Sequence, residues 1–428
     1  MRLDNAISQF RDSNILLLQG PVGPFFYHLA QKLKKNNNKV FKLNFNGGDL
    51  FFFPFGAQSY RNQLEDFEEF IRHFYLNHKI QKIFMFNDCR PLHKIAIKVA
   101  KSLKIPYFIF EEGYIRPNFI TLEHKGVNAN STLPKDPQVF LKFTPQSKEQ
   151  EYSITHSFRN MAWFSFLYWF SAFLCGLYFN NKLHHRSLSG MEMFPWFLSL
   201  FRKYLYKFSE KEDIEFILES KKQYFALILQ VHNDTQIKNH FEGRRIENFI
   251  RNSIRSFAQH AKPQHFLVIK HHPMDRGYKN YKIFIKRQAR KYNVSSRVIY
   301  LHDIHLPDFL RNALGCIVIN STTGLSSILH KCPTKVCGSA FYDIKGLTFQ
   351  EPLSKFWSGA KKFKIDQQLF VNFRKYLIEH NQINGSFYGS LSTKVGGGAG
   401  RAAARAVGRV AAAAPHRCTE TASFAGRR

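Results

Sequence analysis

Short, nearly uninterrupted apolar runs alternate along this chain with longer stretches whose apolar residues recur every three or four positions. "NILLL" (14–18), "KVFKLNF" (39–45), "KIFMF" (82–86) and "PYFIF" (106–110) are too short for helices. Their apolar density predicts strands covered on both faces. Helical periodicity fills the gaps, ending near Lys35, covering about 61–77, and running from "NDCRPLH" to about Leu103. The pattern returns later in "YFALILQ" (224–230), "HFLVIK" (265–270), "RVIYL" (297–301), "GCIVIN" (315–320) and "PTKVCG" (333–338). Helices are expected at about 244–260, 280–291 and 307–313, and after "STTG". Strands alternating with helices predict an α/β fold with parallel sheets and right-handed crossovers. The chain divides into two Rossmann-like halves, 1–150 and 213–390.

The segment 151–212 breaks the pattern. Its stretch "MAWFSFLYWFSAFLCGLYF" (161–179) has no charge and is long enough to reach across a bilayer. Crossing is not expected. Trp, Tyr and Phe favour the interface over the hydrocarbon centre, and a span would separate two halves that must close on one substrate. Lys182, His184, His185, Arg186, Arg202, Lys203 and Lys207 follow. Two readings stand: helices lying on an anionic leaflet, or a buried helical hairpin. From residue 391 the composition turns to Ala, Gly and Arg, which predicts a disordered tail, 391–428, foreign in character to the rest.

With 44% hydrophobic and 16% aromatic residues the chain is a folded protein, and 428 residues suffice for two full cores. Its formal charge of +31 favours anionic partners. Nucleic acid is not expected among them, because no RNP-like, helix-turn-helix or zinc motif occurs. Six scattered cysteines without a CxxC pair predict reduced thiols in a cytosolic protein. The N-terminal "MRLDNAISQFRDSN" lacks the apolar core of a secretory signal.

Ligands of open α/β sheets bind outside the carboxyl ends of strands. In the first half those ends carry Gly20 and Gly23 of "GPVGP", Asp49 after "NGG", Arg90, and Glu111-Glu112-Gly113. In the second they carry Gln230 to Asp234, Lys270-His271-His272-Pro273, His302-Asp303 and Asn320-Ser321-Thr322-Thr323-Gly324. "GPVGP" lacks the lysine of a Walker loop. Adjacent carboxylates in a cleft repel, which raises one pKa and suits proton transfer. Hydroxyls at a helix start serve equally as caps and as part of an anion site. His271 and His272 are neighbours without a second cluster at ligand spacing, so no metal is expected.

"LLLQGPVGPFF", "FNGGD", "FEEGYIRPNFITLE", "LQVHNDTQI", "KHHPMDRGY", "YLHDIHLPDFLRNALGCIVINSTTGLSS", "FYDIKGLT" and "QINGSFY", in that order over about residues 14–388, resemble the KpsS-type capsule polysaccharide β-Kdo transferase family. The resemblance implies a GT-B architecture, with two Rossmann-like domains facing across a cleft. It implies CMP-β-Kdo as donor and transfer of a first β-linked Kdo to a phosphatidylglycerol-type lipid. The protein would sit peripherally on the cytoplasmic face of the inner membrane, beside other capsule assembly and export proteins. Donor and product are both β, so retention through two displacements is implied, with a carboxylate nucleophile. Asp234 of Gln230-x-x-x-Asp234 is the candidate. Glu111 or Glu112 would take the acceptor's proton. His272 would bond the departing phosphate, Lys270 would add charge, and Ser321 and Thr322 would hold the phosphate. Arg276 suits the sugar carboxylate as a planar fork. His271 and His302 fall on the donor side, and Gly20, Gly23, Asp49 and Arg90 on the acceptor side. CMP leaves with one phosphate, so neither cofactor nor metal is expected. Rival readings are a sialic acid or glycerol phosphate transferase of the same architecture, and a non-enzymatic basic membrane binder.

Overall fold

The computed structural model describes residues 2–146, 151–179, 183–184, 188, 193–232, 243 and 245–395. The first part of the chain supplies β1 (Asn14–Leu17), β2 (Lys39–Asn44), β3 (Gln58–Ser59), β4 (Lys82–Phe86), β5 (Tyr107–Glu112) and β6 (Phe119–His124), followed by β7 (Tyr152–Thr155). The second supplies β8 (Tyr224–Ile228), β9 (Phe266–Lys270), β10 (Val298–Leu301), β11 (Gly315–Val318) and β12 (Thr334–Val336), then β13 (Gln382–Asn384) and β14 (Ser390–Val395). Two separate sheets result, in the orders β13-β6-β5-β4-β1-β2-β3 and β10-β9-β8-β11-β12. The second is parallel throughout, and the first is parallel apart from β6 and β13.

The apolar runs are explained by burial on both sheet faces. Alternate strand residues point to opposite sides. Leu16, Leu43, Ile83 and Ile109 pack with Ile71, Phe74, Ala96 and Val99 on one side. Ile15, Leu17, Phe84 and Phe110 pack with Leu29, Ala30 and Leu33 on the other. The second sheet divides likewise, with Ala226, Val268 and Val318 in one cluster and Leu227, Leu267, Ile269 and Ile317 in the other.

Two boundaries differ from the expectation. Gln382–Asn384, within the stretch assigned to the second half, adds an antiparallel strand to the first sheet, with Ile383 opposite Ile120. Three residues carry no periodicity, so only the distant partner reveals the strand. Ser390–Val395 pairs antiparallel with β7, so the tail expected from 391 begins inside a strand. Residues 396–428 lie outside the described residues.

The intervening segment forms an aromatic helix, Ser157–Leu174, and a second one, Met193–Ser209. The first packs on the short helix Gly47–Phe52: a Cβ on Gly48 would meet the Tyr168 ring at 2.5 Å. The second packs on the other unit, where Trp196 Nε1 donates to Tyr278 OH (3.2 Å) and Arg202 to the Arg276 carbonyl (2.8 Å). Gly277 is needed for that approach, since a Cβ there would lie 1.9 Å from the Pro195 oxygen. Outward faces carry Phe158, Trp163, Phe170 and Phe173, and Phe197, Phe201, Tyr204 and Phe208, all exposed. No helix among the described residues is long and apolar enough to cross a membrane. The two units touch where Tyr114 stacks on Phe341 at 3.9 Å.

Candidate active site at two switch points

In each sheet the strand order reverses between two neighbours, β1 and β4 in the first unit, β8 and β11 in the second. Crossovers leave such a point in opposite directions, so a crevice opens there at the carboxyl ends. A glutamine follows the first strand of each unit. Gln19 Oε1 accepts from Arg90 (2.7 Å), which also donates to the Gly20 carbonyl (3.3 Å). Gln230 Nε2 donates to Asn320 Oδ1 (3.0 Å), and its Oε1 accepts from the Asn320 N–H (3.2 Å). Sequence reasoning singled out Arg90 and Gln230, and Asn320 among the strand-end residues, but not Gln19. The matched runs Leu16–Gln19 and Leu227–Gln230 carried that signal.

In the first unit Asp49 is buried and fully engaged. It accepts from the Phe45 N–H (3.0 Å), Gln19 (3.2 Å), Asn46 (3.4 Å) and Tyr168 OH (2.9 Å). Asn46 reciprocates by capping the Asp49 N–H (2.9 Å) and donates to Tyr168 OH (2.7 Å). Asp49 is therefore the centre of a knot that fastens the aromatic helix to the sheet. Gly20 and Gly23 serve packing: side chains there would strike Phe26 and Phe164. A small cleft between this turn, Phe52, Phe53 and Tyr168 reaches Lys42, which sequence reasoning missed. Burial pulls the Lys42 amine down to about 8, against the pull of Asp49. Burial likewise lowers Arg90, while Tyr168, Asp49 and Glu111 favour its charge.

Glu111 ends β5 and is buried. Its carboxylate accepts from Asn87 (3.0 Å), Asn128 (3.2 Å) and the Glu112 N–H (3.0 Å). Burial raises it to about 7, with the neighbouring Glu112 pushing the same way. Glu112 is half-buried and is also raised by burial, while Arg116 opposes the rise.

In the second unit β9 delivers Lys270 and His271 into the interior. The Lys270 amine donates to the His271 carbonyl (3.3 Å), and burial lowers its pKa. His271 Nδ1 meets Tyr300 OH (2.7 Å), and burial drops the ring to about 3, so it stays neutral. His302 is held through Nδ1 by Glu210, with Tyr206 stacked on it at 3.6 Å. Arg276 donates to both oxygens of Asp303 (2.7 and 2.8 Å), so Asp303 already occupies the fork expected for a sugar carboxylate. His271 Nε2, His302 Nε2, Arg276 Nε and Asn320 Nδ2 have no partner among the described residues. His272 Nδ1 accepts from the Met274 N–H (3.2 Å). Ser321 Oγ accepts from the Thr323 N–H (3.2 Å) at the start of helix Thr323–Leu329, whereas Thr322 makes no side-chain cap. Asp234 lies outside the described residues. Two groups went unforeseen: His232 and the fully buried Asp275 that grips it.

The structure thus gathers Gln19, Asp49 and Arg90 in one crevice, and Lys270, His271, Arg276 and His302 around the other. A chain of contacts joins the units nearby: Tyr114 stacks on Phe341, and Tyr342 OH bonds the Ser321 carbonyl.

Two parallel-sheet α/β units, each with a polar bridge at its switch point, define a GT-B-like protein. The family model for capsule polysaccharide biosynthesis protein matches residues 81–388. The chain is 38% identical over 384 residues to the capsule polysaccharide export protein KpsS of Escherichia coli, covering 87% of this chain and 96% of that one. It is 40% identical over 392 residues to the capsule polysaccharide modification protein LipB of Neisseria meningitidis serogroup B, covering 88% and 92%. Among solved structures, the Thermosulfurimonas dismutans KpsC β-Kdo 2,7 transferase is similar over 78% of this chain and 88% of that one, at 14% identity and a TM-score of 0.37. The chain belongs to the capsule polysaccharide biosynthesis protein family.

Proposed function

We propose that the chain is a retaining glycosyltransferase of capsule assembly. It moves Kdo from CMP-β-Kdo onto a phosphatidylglycerol-type lipid at the cytoplasmic face of the inner membrane. The observation that carries this reading is the set of unpartnered nitrogens around the second unit's strand ends, beside Lys270. A buried polar group left unpaired costs about 1–3 kcal/mol; Arg276 Nε and Asn320 Nδ2 are donors that an anion satisfies, whereas His302 Nε2, opposite an Nδ1 held by Glu210, carries the lone pair of the neutral ring. A nucleotide phosphate enters there, with His272 and Lys270 toward it and Ser321 at the helix start. Asp234 is the proposed nucleophile. Glu112, less enclosed than Glu111, orients the incoming hydroxyl from the first unit.

The decisive assay is CMP release with a fluorescent phosphatidylglycerol acceptor, run with CMP-Kdo, CMP-sialic acid and CDP-glycerol in parallel. Turnover with CMP-Kdo alone is expected; turnover with another donor reassigns the substrate. With a slow acceptor, intact-mass analysis should find one Kdo on the peptide containing Asp234. Excess EDTA should leave the rate unchanged, because one phosphate needs little charge to be neutralised; rescue by Mg²⁺ would contradict this.

A second reading, a basic membrane binder without catalysis, draws on the exposed aromatic faces of the two helices. Lys203 and Lys207 are exposed beside those aromatics on the second helix, an arrangement that suits an anionic interface. Salt-sensitive binding to phosphatidylglycerol vesicles, weakened by Phe197→Ala with Phe201→Ala, is expected on both readings, so turnover alone separates them.

A further inference from the structure

We propose that His232 is the proton acceptor for the incoming hydroxyl, and that Asp275 is the positioning residue that makes it one. This rests on the transferase reading above. A single carboxylate clamps the residue twice: Asp275 Oδ2 accepts from the His232 main-chain N–H at 2.7 Å, and Asp275 Oδ1 bonds the ring Nδ1. A carboxylate only accepts, so the Nδ1 carries the proton and the lone pair of the neutral ring lies on Nε2.

Three histidine–carboxylate pairs occur among the described residues at hydrogen-bond distance, and their surroundings differ. His302–Glu210 is sealed, with 3% and 10% of the side chains exposed and Tyr206 lying on the ring. His305–Asp308 is a surface pair, 67% and 44% exposed. Only His232–Asp275 joins a carboxylate of zero exposure to a ring that remains 24% exposed. The sealed pair can only stabilise, and the surface pair has no fixed geometry to offer. The third fixes a ring that is not sealed.

His232 follows β8 and His272 follows β9, and these strands are neighbours in the sheet. The two histidines have opposite polarity. His272 Nδ1 accepts the Met274 N–H, so its neutral ring holds its proton on Nε2 and donates. One strand end thus presents a donor suited to a leaving phosphate, and the next presents an acceptor suited to an attacking hydroxyl. As the hydroxyl oxygen bonds to the anomeric carbon, its proton passes to His232 Nε2. This is the second displacement: the bond from that carbon to the carboxylate oxygen of the covalent intermediate breaks, and the electron pair returns to that carboxylate, the phosphate having left in the first. The imidazolium is balanced by Asp275 and later releases its proton to solvent. Besides Asp275, Tyr278 faces the ring, at 5.6 Å between centroids.

The test compares wild type, His232→Ala, His232→Gln and Asp275→Asn in the CMP-release assay. His232→Ala should lower kcat by about 10²- to 10⁴-fold, with KM for donor little changed and partial rescue by added imidazole. Asp275→Asn should lower kcat with KM for donor little changed, because the ring is no longer held in its tautomer and orientation. Nitrogen NMR of the full chain, which needs no turnover, should show a protonated Nδ1 at His232 that Asp275→Asn shifts. Variants within threefold of wild type, or an Asp275→Asn variant that leaves the His232 Nδ1 signal unmoved, would overturn the proposal. A wild type inactive with every donor would instead defeat the transferase reading. Unchanged circular dichroism and CMP affinity guard against misfolding; a variant that loses both is replaced by His232→Gln, for which the same kinetic loss is required.

Discussion

The two switch-point crevices share a plan and differ in completion. In the first, Gln19, Asn46, Tyr168 and a main-chain N–H converge on Asp49, and Arg90 closes the bridge. The aromatic helix is fastened beside these strand ends, with a small cleft left between it and the turn at Gly20. In the second, Asn320 of the Gln230–Asn320 bridge keeps Nδ2 open, and His271, Arg276 and His302 after the neighbouring strands keep nitrogens that no described residue satisfies. The first unit leaves Asn44 Oδ1 and His93 Nε2 open, one of them an oxygen; the second leaves four nitrogens at its strand ends. The difference teaches that one architectural position can be completed by a helix or left with open hydrogen-bonding groups, and the proposed anion site rests on the second case.

That contrast can be broken by substitution. The largest effect is expected on catalysis from the open crevice: His272→Ala should cut kcat by about 10²- to 10⁴-fold with the urea midpoint nearly unmoved. A comparable loss of stability would make His272 structural. Next, Asp49→Ala should destabilise the protein by about 3–5 kcal/mol, because it strands several buried donors. CMP binding, followed by calorimetry under native conditions, should survive. A stable Asp49→Ala variant would mean that the knot is ornamental.

The smallest effect concerns pH. Glu111 is raised to about 7 from an ordinary 4.5, chiefly by burial. A raised carboxyl favours the folded state below the ordinary value, and that contribution is lost as pH climbs through the folded one. Stability should therefore fall between about pH 4.5 and 7, by up to about 3 kcal/mol from this group. Glu111→Gln should flatten part of the slope in urea titrations. Glu123, raised to about 7 by its own burial, supplies another part that remains.

The strands β1, β4, β5, β8, β9 and β11 were legible because each is an apolar run buried on two faces, and β2, β10 and β12 because they sit in short apolar-rich stretches at the same spacing. β6 and β13 were not, since "FITLEH" and "QIN" become strands only through antiparallel partners far along the chain. The site divides in the same way. Lys270, Gln230 and Glu111 announce themselves as polar residues ending apolar runs. His232 and Asp275 are 43 positions apart, and no local pattern links a turn after one strand to a buried carboxylate after the next. Asp49 was legible as a strand-end carboxylate, but its occupation by Tyr168 depends on a helix 119 positions away.

The short strand β13 has a consequence for biosynthesis. Gln382 bonds the Tyr114 N–H and Thr121, and Ile383 and Asn384 extend the pairing along β6. Until residue 384 has left the ribosome, the rim of the N-terminal sheet stays an open edge, able to recruit foreign strands. The first half of the polypeptide is therefore synthesised long before it can be finished. A nascent chain paused near residue 380 would hold its second unit nearly whole while its older unit still waited for closure.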